Sequence, residues 1–275
     1  MLIINVGGFV MKRLIVIKGA GDIATGIACR LFRSGFPIIM TELAQPTVIR
    51  RTVAFAQAIF SGQVIVENVV AVNTSMENSL EVVKQGQIPV VVDPQGIIMN
   101  VLKPWGIVDA ILAKKNLGTQ ITDAPAVVGI GPGFTAGLDV HAVVESMRGH
   151  DLGRVIIEGE ALPDTGIPGE IGGYTRERIL RAPCQGVFKG ISRIGDHVVA
   201  GEIVAHVNKE PVIAEISGIL RGLLQDGLTV KAGMKIGDID ARCVQQHCFS
   251  ISDKARAIGG GVLEALMQLE LEKKM

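Results

Sequence analysis

Residues 186–207 (GVFKGISRIGDHVVAGEIVAHV) align without a gap to residues 218–239 (GILRGLLQDGLTVKAGMKIGDI), 32 positions further on. Gly186, Gly190, Gly195 and Gly201 fall on Gly218, Gly222, Gly227 and Gly233, and Val198 and Ala200 on Val230 and Ala232. Self-similarity at a fixed period marks a duplicated supersecondary unit. Each copy reads as short β runs broken by turn glycines, and neither has the apolar positions to close a core alone. The two copies are therefore expected to pair about a pseudo-twofold axis. This constrains the whole chain, because nothing before residue 182 shares the pattern.

The repeat resembles the barrel-sandwich hybrid of biotinyl and lipoyl carrier domains. Ala182-Pro183, Gly186, Gly195-Asp196, Val198 and Gly201 carry the likeness, and Ser217-Gly218, Gly227, Val230 and Gly233 echo it. A carrier domain would present its modified lysine on the hairpin between the halves, where this chain has HVNKEPV and Lys209. The methionines that flank a biotinyl lysine are missing, so the likeness supports the fold and not carrier function.

The preceding residues alternate strand and helix. RLIVIK (13–18) leads into a glycine loop and a helix from about Ile23 to Ser34, and PIIMTE (37–42) is the next strand. Such a βαβ unit implies a parallel sheet. Beyond it the pattern predicts a helix from Pro46 to Phe60, a strand at 64–72, a helix at 77–86 and a strand at 89–93. Further elements are a helix at 107–114, a strand at 126–130, a helix from Asp139 to Met147 and a strand at 154–161. The predicted architecture is α/β: a Rossmann-like doubly wound parallel sheet at 11–180, a small all-β barrel-sandwich hybrid at 181–242, and a C-terminal helix at 250–273 packing back on the α/β domain. Ser252 is a candidate N-cap of that helix. Its Gly259-Gly260-Gly261 triplet lowers helix propensity and calls for close backbone packing or a ligand in compensation.

Two glycine loops follow strands and precede predicted helices. Gly19, Ala20, Gly21, Asp22, Ile23 and Ala24 spell G-x-G-x-x-A, the form in which a backbone approaches a pyrophosphate at a helix N-terminus. Glu42 ends the next strand, where an acid would meet ribose hydroxyls. In the second loop, Gly131 and Gly133 lie in GIGPGFTAG, which lacks the Gly-Lys-Ser/Thr of a P-loop but can form an anion nest. Arg148, in a polar run with Glu145, His150, Asp151 and Arg154, is a candidate phosphate contact. Arg50 and Arg51, on the next predicted helix, could reach a phosphate, although exposed helix arginines are more often simply solvated. Asp93 and Asp109 could each act as a base or metal ligand, although a lone Asp at such a position more often caps or turns. Cys243 and Cys248 with His247 lack a second ligand pair for zinc, and Cys248 is either a reactive thiol or a buried one. No metal site and no catalytic set are assigned.

Composition limits the setting. Glycine accounts for 34 of the 275 residues, well above ordinary usage. Lys plus Arg and Asp plus Glu are each 27, which leaves no electrostatic footprint for nucleic acid. Four cysteines without a framework spacing suggest a reducing, cytoplasmic compartment. No apolar run is long enough to span a membrane. Residues 1–10 are apolar and precede Lys12-Arg13, the reverse of a signal peptide, so Met11 reads as a natural start. The high apolar content makes a homo-oligomer conceivable.

Across most of its length the chain resembles the accessory protein of selenium-dependent molybdenum hydroxylase systems, a family distantly similar to xanthine dehydrogenase accessory factors. VIKGAGDIATGIACRL (16–31), MTELAQPTVIRRTVAFAQA (40–58), VDAILAKKNLGT (108–119), GIGPGFTAGLDVHAVVESMRGHDLGRVI (129–156), GIPGEIGGYTRERILRAP (166–183) and CFSISDKARAIGGGVLEAL (248–266) carry it. The resemblance implies maturation or insertion of a molybdopterin cofactor, with the hydroxylase or its insertion machinery as partner. Three readings stay open: a maturation protein that binds NAD(P) or a molybdopterin dinucleotide, an NAD(P)-dependent oxidoreductase, and a scaffold that docks the hydroxylase without a small-molecule ligand.

Overall fold

In a computed structural model, residues 4–6, 9–11, 13–167 and 169–272 are described. β1 (Ile4–Val6) and β2 (Phe9–Met11) form an antiparallel pair; the rest of residues 1–10 lies outside the described residues. β3 (Ile15–Lys18), α1 (Asp22–Arg33) and β4 (Ile38–Glu42) follow the expected βαβ order. Next come α2 (Ala58–Ser61), β5 (Gln63–Val66), β6 (Val69–Thr74), α3 (Ser79–Lys84), β7 (Ile88–Val92), α4 (Ile97–Leu102), β8 (Gly106–Asp109) and β9 (Ala126–Ile130). The short strands β10 (Thr135–Ala136), β11 (Ala142–Val144), β12 (Val155–Ile156) and β13 (Gly159–Glu160) complete this half.

Nine of these strands form one mixed sheet, ordered β12-β11-β9-β8-β3-β4-β7-β6-β5. The strands from β11 to β6 are parallel, and β12 and β5 pair antiparallel at the two edges. Successive side chains of a strand point to opposite faces. Ile15, Ile17, Ile38 and Met40 accordingly enter the core under α1, while Leu14, Val16 and Ile39 enter a smaller one beside α3 and α4.

The doubly wound expectation needs correction. The 107–114 run, read as a helix, opens with β8, and the Asp139–Met147 run holds β11. Ile107, Val108, Ala142, Val143 and Val144 are all buried, and a short run buried on every side has no period by which to tell strand from helix. The connections between β8 and β9 and between β9 and β11 thus carry no α-helix. The Pro46–Phe60 helix is replaced by 3₁₀ turns at Arg51–Val53 and Phe55–Gln57 followed by α2. The 64–72 strand is a hairpin, because Glu67 and Asn68 both take positive φ, 46° and 67°, and turn β5 back on β6.

The second half contains β14 (Ile179–Arg181), β15 (Gly186–Gly190), β16 (His197–Val198), β17 (Ile203–Val207), β18 (Glu210–Ile213), β19 (Gly218–Leu223), β20 (Thr229–Val230) and β21 (Lys235–Asp240). They make two four-stranded antiparallel sheets, β14-β21-β19-β16 and β18-β17-β15-β20. The copies of the repeat exchange strands: β16 of the first pairs with β19 of the second, and β20 of the second with β15 of the first. Phe188, Val198, Leu220, Val230 and Ile236 close the core between the sheets. This corrects the carrier-type barrel-sandwich. β14, from outside the repeat, adds an edge strand to one sheet. Lys209 sits in the two-residue turn between β17 and β18, where the Asn208 carboxamide accepts from the Val187 N–H and ties the turn down.

α5 (Asp253–Glu272) returns to the large sheet and lies beside α1, burying Ala255, Ile258, Val262, Ala265 and Leu266 in the same core. Gly26 of α1 meets Ala255, and Gly259 meets the Gly26 carbonyl. Gly261 lies so close to the Gly153 carbonyl that a Cβ would reach 2.1 Å from it. Close backbone packing thus answers for Gly259 and Gly261. The contacts advance together along both helices, so α1 and α5 run parallel and start at the same level.

Candidate functional site

The parallel strands end at one edge, and the loops there carry the glycines singled out in the sequence. Gly19 has φ +91°, and a side chain on it would strike the Ala110 carbonyl at 3.0 Å. The Ala20 N–H donates to Glu42 Oε2 at 2.9 Å, and the Leu43 N–H donates to Oε1 at 2.8 Å. The residues assigned to pyrophosphate and ribose are therefore engaged with each other. Gly21 precedes α1, whose N-terminus has no side-chain cap; Ala24 is buried in the core. Gly131 has φ +73° beneath the Ser146 hydroxyl, and Gly133 packs on the Lys115 backbone. These two glycines shape close loop packing.

Beside them, a cavity of about 660 Å³ opens between the sheet edge, the starts of α1 and α5, and the β sandwich. Asp22, Ile23 and Arg148 of the sequence candidates line it. Leu112, Ile130, Met147, Leu162 and Ile167 give it apolar walls. Arg50, Lys114, Arg178, Arg221 and Lys254 join Arg148 there, so six cationic side chains face only two lining carboxylates, Asp22 and Asp164. Leu112 and Lys114 both take positive φ, 60° and 63°, a costly conformation that persists only where the surroundings enforce it.

Most of these cations have acidic partners. Arg50 meets Asp22 at 3.3 Å and Lys114 meets Asp164 at 2.6 Å. Arg148 grips Asp253 with two bonds, 2.5 and 2.9 Å, and this holds the Asp253 carboxyl well below its usual range. Arg178 and Arg221 share Asp238, which is almost wholly buried, and Asp240 lies behind Arg221. Lys254 is different: no hydrogen bond or ion pair holds its ammonium among the described residues. Burial lowers its pKa first, the charges of Arg148 and Lys114 lower it further, and Asp22 and Glu145 oppose them. It stands in the first turn of α5, where the helix dipole also disfavours a cation.

The remaining candidates have structural roles. Asp93 caps α4 through the Ile97 and Ile98 N–H groups. Asp109 accepts from Thr119 and pairs with Lys18 at 3.0 Å. Glu145 accepts from the Met147 and Leu162 N–H groups and anchors the cavity's rim. Arg51 donates to the Leu223 carbonyl, joining the two halves. Cys248 is buried and burial pushes its thiol up, which favours the buried-thiol reading over the reactive one. Among the described residues no group of three or more His, Cys, Asp or Glu is placed to hold a metal. No described helix is long and apolar enough to cross a membrane.

The sequence reading missed Lys254, Lys114, Arg178 and Arg221. For Lys254 a signal was present: a lysine directly behind the Ser252-Asp253 cap of a helix stands at the end where cations are disfavoured. The others come from distant segments, and no local pattern joins them.

Over 271 residues the chain is 51% identical to the uncharacterized protein YqeB of Escherichia coli (strain K12), a match covering 96% of this chain and 50% of that protein. The chain thus spans half the length of the curated relative it matches. No family profile matches. Among solved structures, a succinylglutamate desuccinylase/aspartoacylase from Rhodobacter sphaeroides aligns over 82% of this chain and 85% of its own, at 11% identity and a TM-score of 0.28. An aspartoacylase family protein from Mesorhizobium loti aligns over 82% and 84%, at 10% identity and a TM-score of 0.27. Likeness at that level carries no argument about this chain's chemistry.

These findings overturn the family resemblance drawn from the sequence. None leads to an accessory protein of a molybdenum hydroxylase or to xanthine dehydrogenase accessory factors; the proteins found are of other description. The maturation role is withdrawn with it, and so are the NAD(P)-dependent oxidoreductase and the hydroxylase-docking scaffold. The closed contact between Ala20 and Glu42 runs the same way, since it occupies the dinucleotide fingerprint from within.

Proposed function

We propose that this chain binds a small anionic molecule, bearing phosphate or carboxylate groups, in the cavity between the sheet edge and the β sandwich. The observation that carries this reading is Lys254, a cation with no direct ion pair among the described residues, in a cavity lined by five further cationic side chains. The volume of about 660 Å³ suits a metabolite-sized ligand. The uncapped start of α1 adds N–H groups at the same place, where an anion is favoured. The apolar wall of Leu112, Leu162 and Ile167 would cover the uncharged part of the ligand. The free cysteines support a reducing, cytoplasmic setting.

Calorimetric titration and thermal shift with pyrophosphate, citrate and uncharged glycerol test the proposal. Pyrophosphate or citrate should bind and raise the melting temperature, and glycerol should do neither. Lys254→Met and Arg148→Ala should each weaken binding. Equal affinity of both variants and wild type for every anion would sink the reading.

A further inference from the structure

The site has a reactive feature that anion binding alone does not require. An ammonium that only attracts an anion works best fully charged, yet Lys254 sits where its charge is opposed. It lines the same cavity as the apolar Leu112 and Leu162 and the guanidinium of Arg148. Of the charged groups near it, Arg148 and Lys114 disfavour its proton, whereas Asp22 and Glu145 favour it, as does Asp164, which Lys114 holds at 2.6 Å. Asp22 is already paired with Arg50, and Glu145 is occupied by two backbone N–H groups. Asp253, its chain neighbour, is held by Arg148. Among the described residues no carboxylate makes a direct ion pair with the ammonium. Desolvation and adjacent cations are the means by which a lysine becomes a neutral nucleophile at ordinary pH.

We propose that Lys254 is an imine-forming amine and that the ligand of this cavity is an anionic carbonyl compound, an oxo acid or a phosphorylated aldehyde or ketone. The inference rests on the anion-binding reading and deepens it. Lys254 Nζ adds its lone pair to the carbonyl carbon, and the C=O π pair moves to oxygen. That oxygen takes a proton released by the nitrogen, and the carbinolamine then loses it with a second proton as water, leaving a C=N bond. One water leaves and nothing is oxidised or reduced. The anionic group of the ligand would face Arg148, so the charge that disfavours the Lys254 proton also seats the substrate.

The test is borohydride trapping on the full chain, with pyridoxal 5′-phosphate as the anionic aldehyde probe and pyridoxal as its uncharged counterpart. After brief exposure, reduction and digestion, peptide mass spectrometry should find the phosphate-bearing probe on Lys254 before any other lysine. Pyridoxal should show no such preference, and excess pyrophosphate should protect. Lys254→Arg keeps the charge and cannot form the imine, so the site-specific label should vanish while pyrophosphate still raises the melting temperature. Labelling spread over surface lysines, with Lys254 spared and the pyrophosphate shift intact, would overturn the imine and leave anion binding standing. Absence of both the label and the shift would remove both readings.

Discussion

A Cβ built on Gly26 would lie 2.6 Å from the Cβ of Ala255. This contact sets α1 and α5 side by side with their N-termini at the same cavity, so the two glycine-dependent helices and the cationic site are parts of one arrangement.

The glycine triplet of α5 should split by position. Gly260 has nothing within 4 Å, so Gly260→Ala should stabilise by about 0.5–1 kcal/mol through helix propensity alone. Gly261→Ala places a methyl against the fixed Gly153 carbonyl and should cost about 1–3 kcal/mol. Gly26→Val should be destabilising for the same reason. Urea unfolding of the three variants, read as midpoints at constant slope, checks the opposite signs.

The buried ion network should far outweigh the exposed pairs. Arg178, Asp238 and Arg221 are nearly inaccessible, and removing one partner strands a buried charge. Arg178→Met should therefore cost about 3–5 kcal/mol. Lys114→Met breaks a pair between half-exposed side chains and should cost about 0–1 kcal/mol. Chemical denaturation of the two variants in parallel distinguishes these outcomes.

Lys254 gives the protein a pH dependence of defined sign. Its folded-state pKa lies below the ordinary lysine value of 10.5, so between the two values the unfolded chain binds the extra proton and stability rises with pH. At neutral pH the charged lysine is a net burden on the fold. Lys254→Met should melt higher than wild type near neutrality, and the gap should narrow as pH approaches 10.5. A gap that widens with pH would contradict the burial assigned to Lys254.

The four thiols should react in the order of their access. Cys243 is exposed and Cys184 partly so, whereas Cys29 and Cys248 are buried. Burial pushes the Cys29 thiol up to about 12 and raises that of Cys248 as well. Maleimide labelling of the native protein near neutral pH should modify Cys243 first and leave Cys29 and Cys248 untouched until denaturant is added.

Local patterns were legible where one chain segment decides the outcome. The β3-α1-β4 unit follows from a β-branched run, a glycine turn and an amphipathic helix in immediate succession. The strand exchange between β15, β16, β19 and β20 follows from a repeat too thin to close a core alone. The misreadings at 107–114 and 139–147 arose where residues are apolar on every face and only neighbouring strands settle the geometry. Arg148 reads from the sequence as a candidate phosphate contact, and nothing local shows that Asp253, 105 residues away, pairs with it.

The sequence alone determined the glycine turns, the duplicated β unit and the helix that begins at Ser252-Asp253, because propensity, turn geometry and capping act over a few residues. Only the tertiary structure decided which cations share a cavity and which lack a partner. Burial and charge pairing are sums over residues far apart in the chain. For Lys254 those sums come from α1, the loops after β8 and β11, and the first turn of α5, and together they leave its ammonium without a direct ion pair among the described residues.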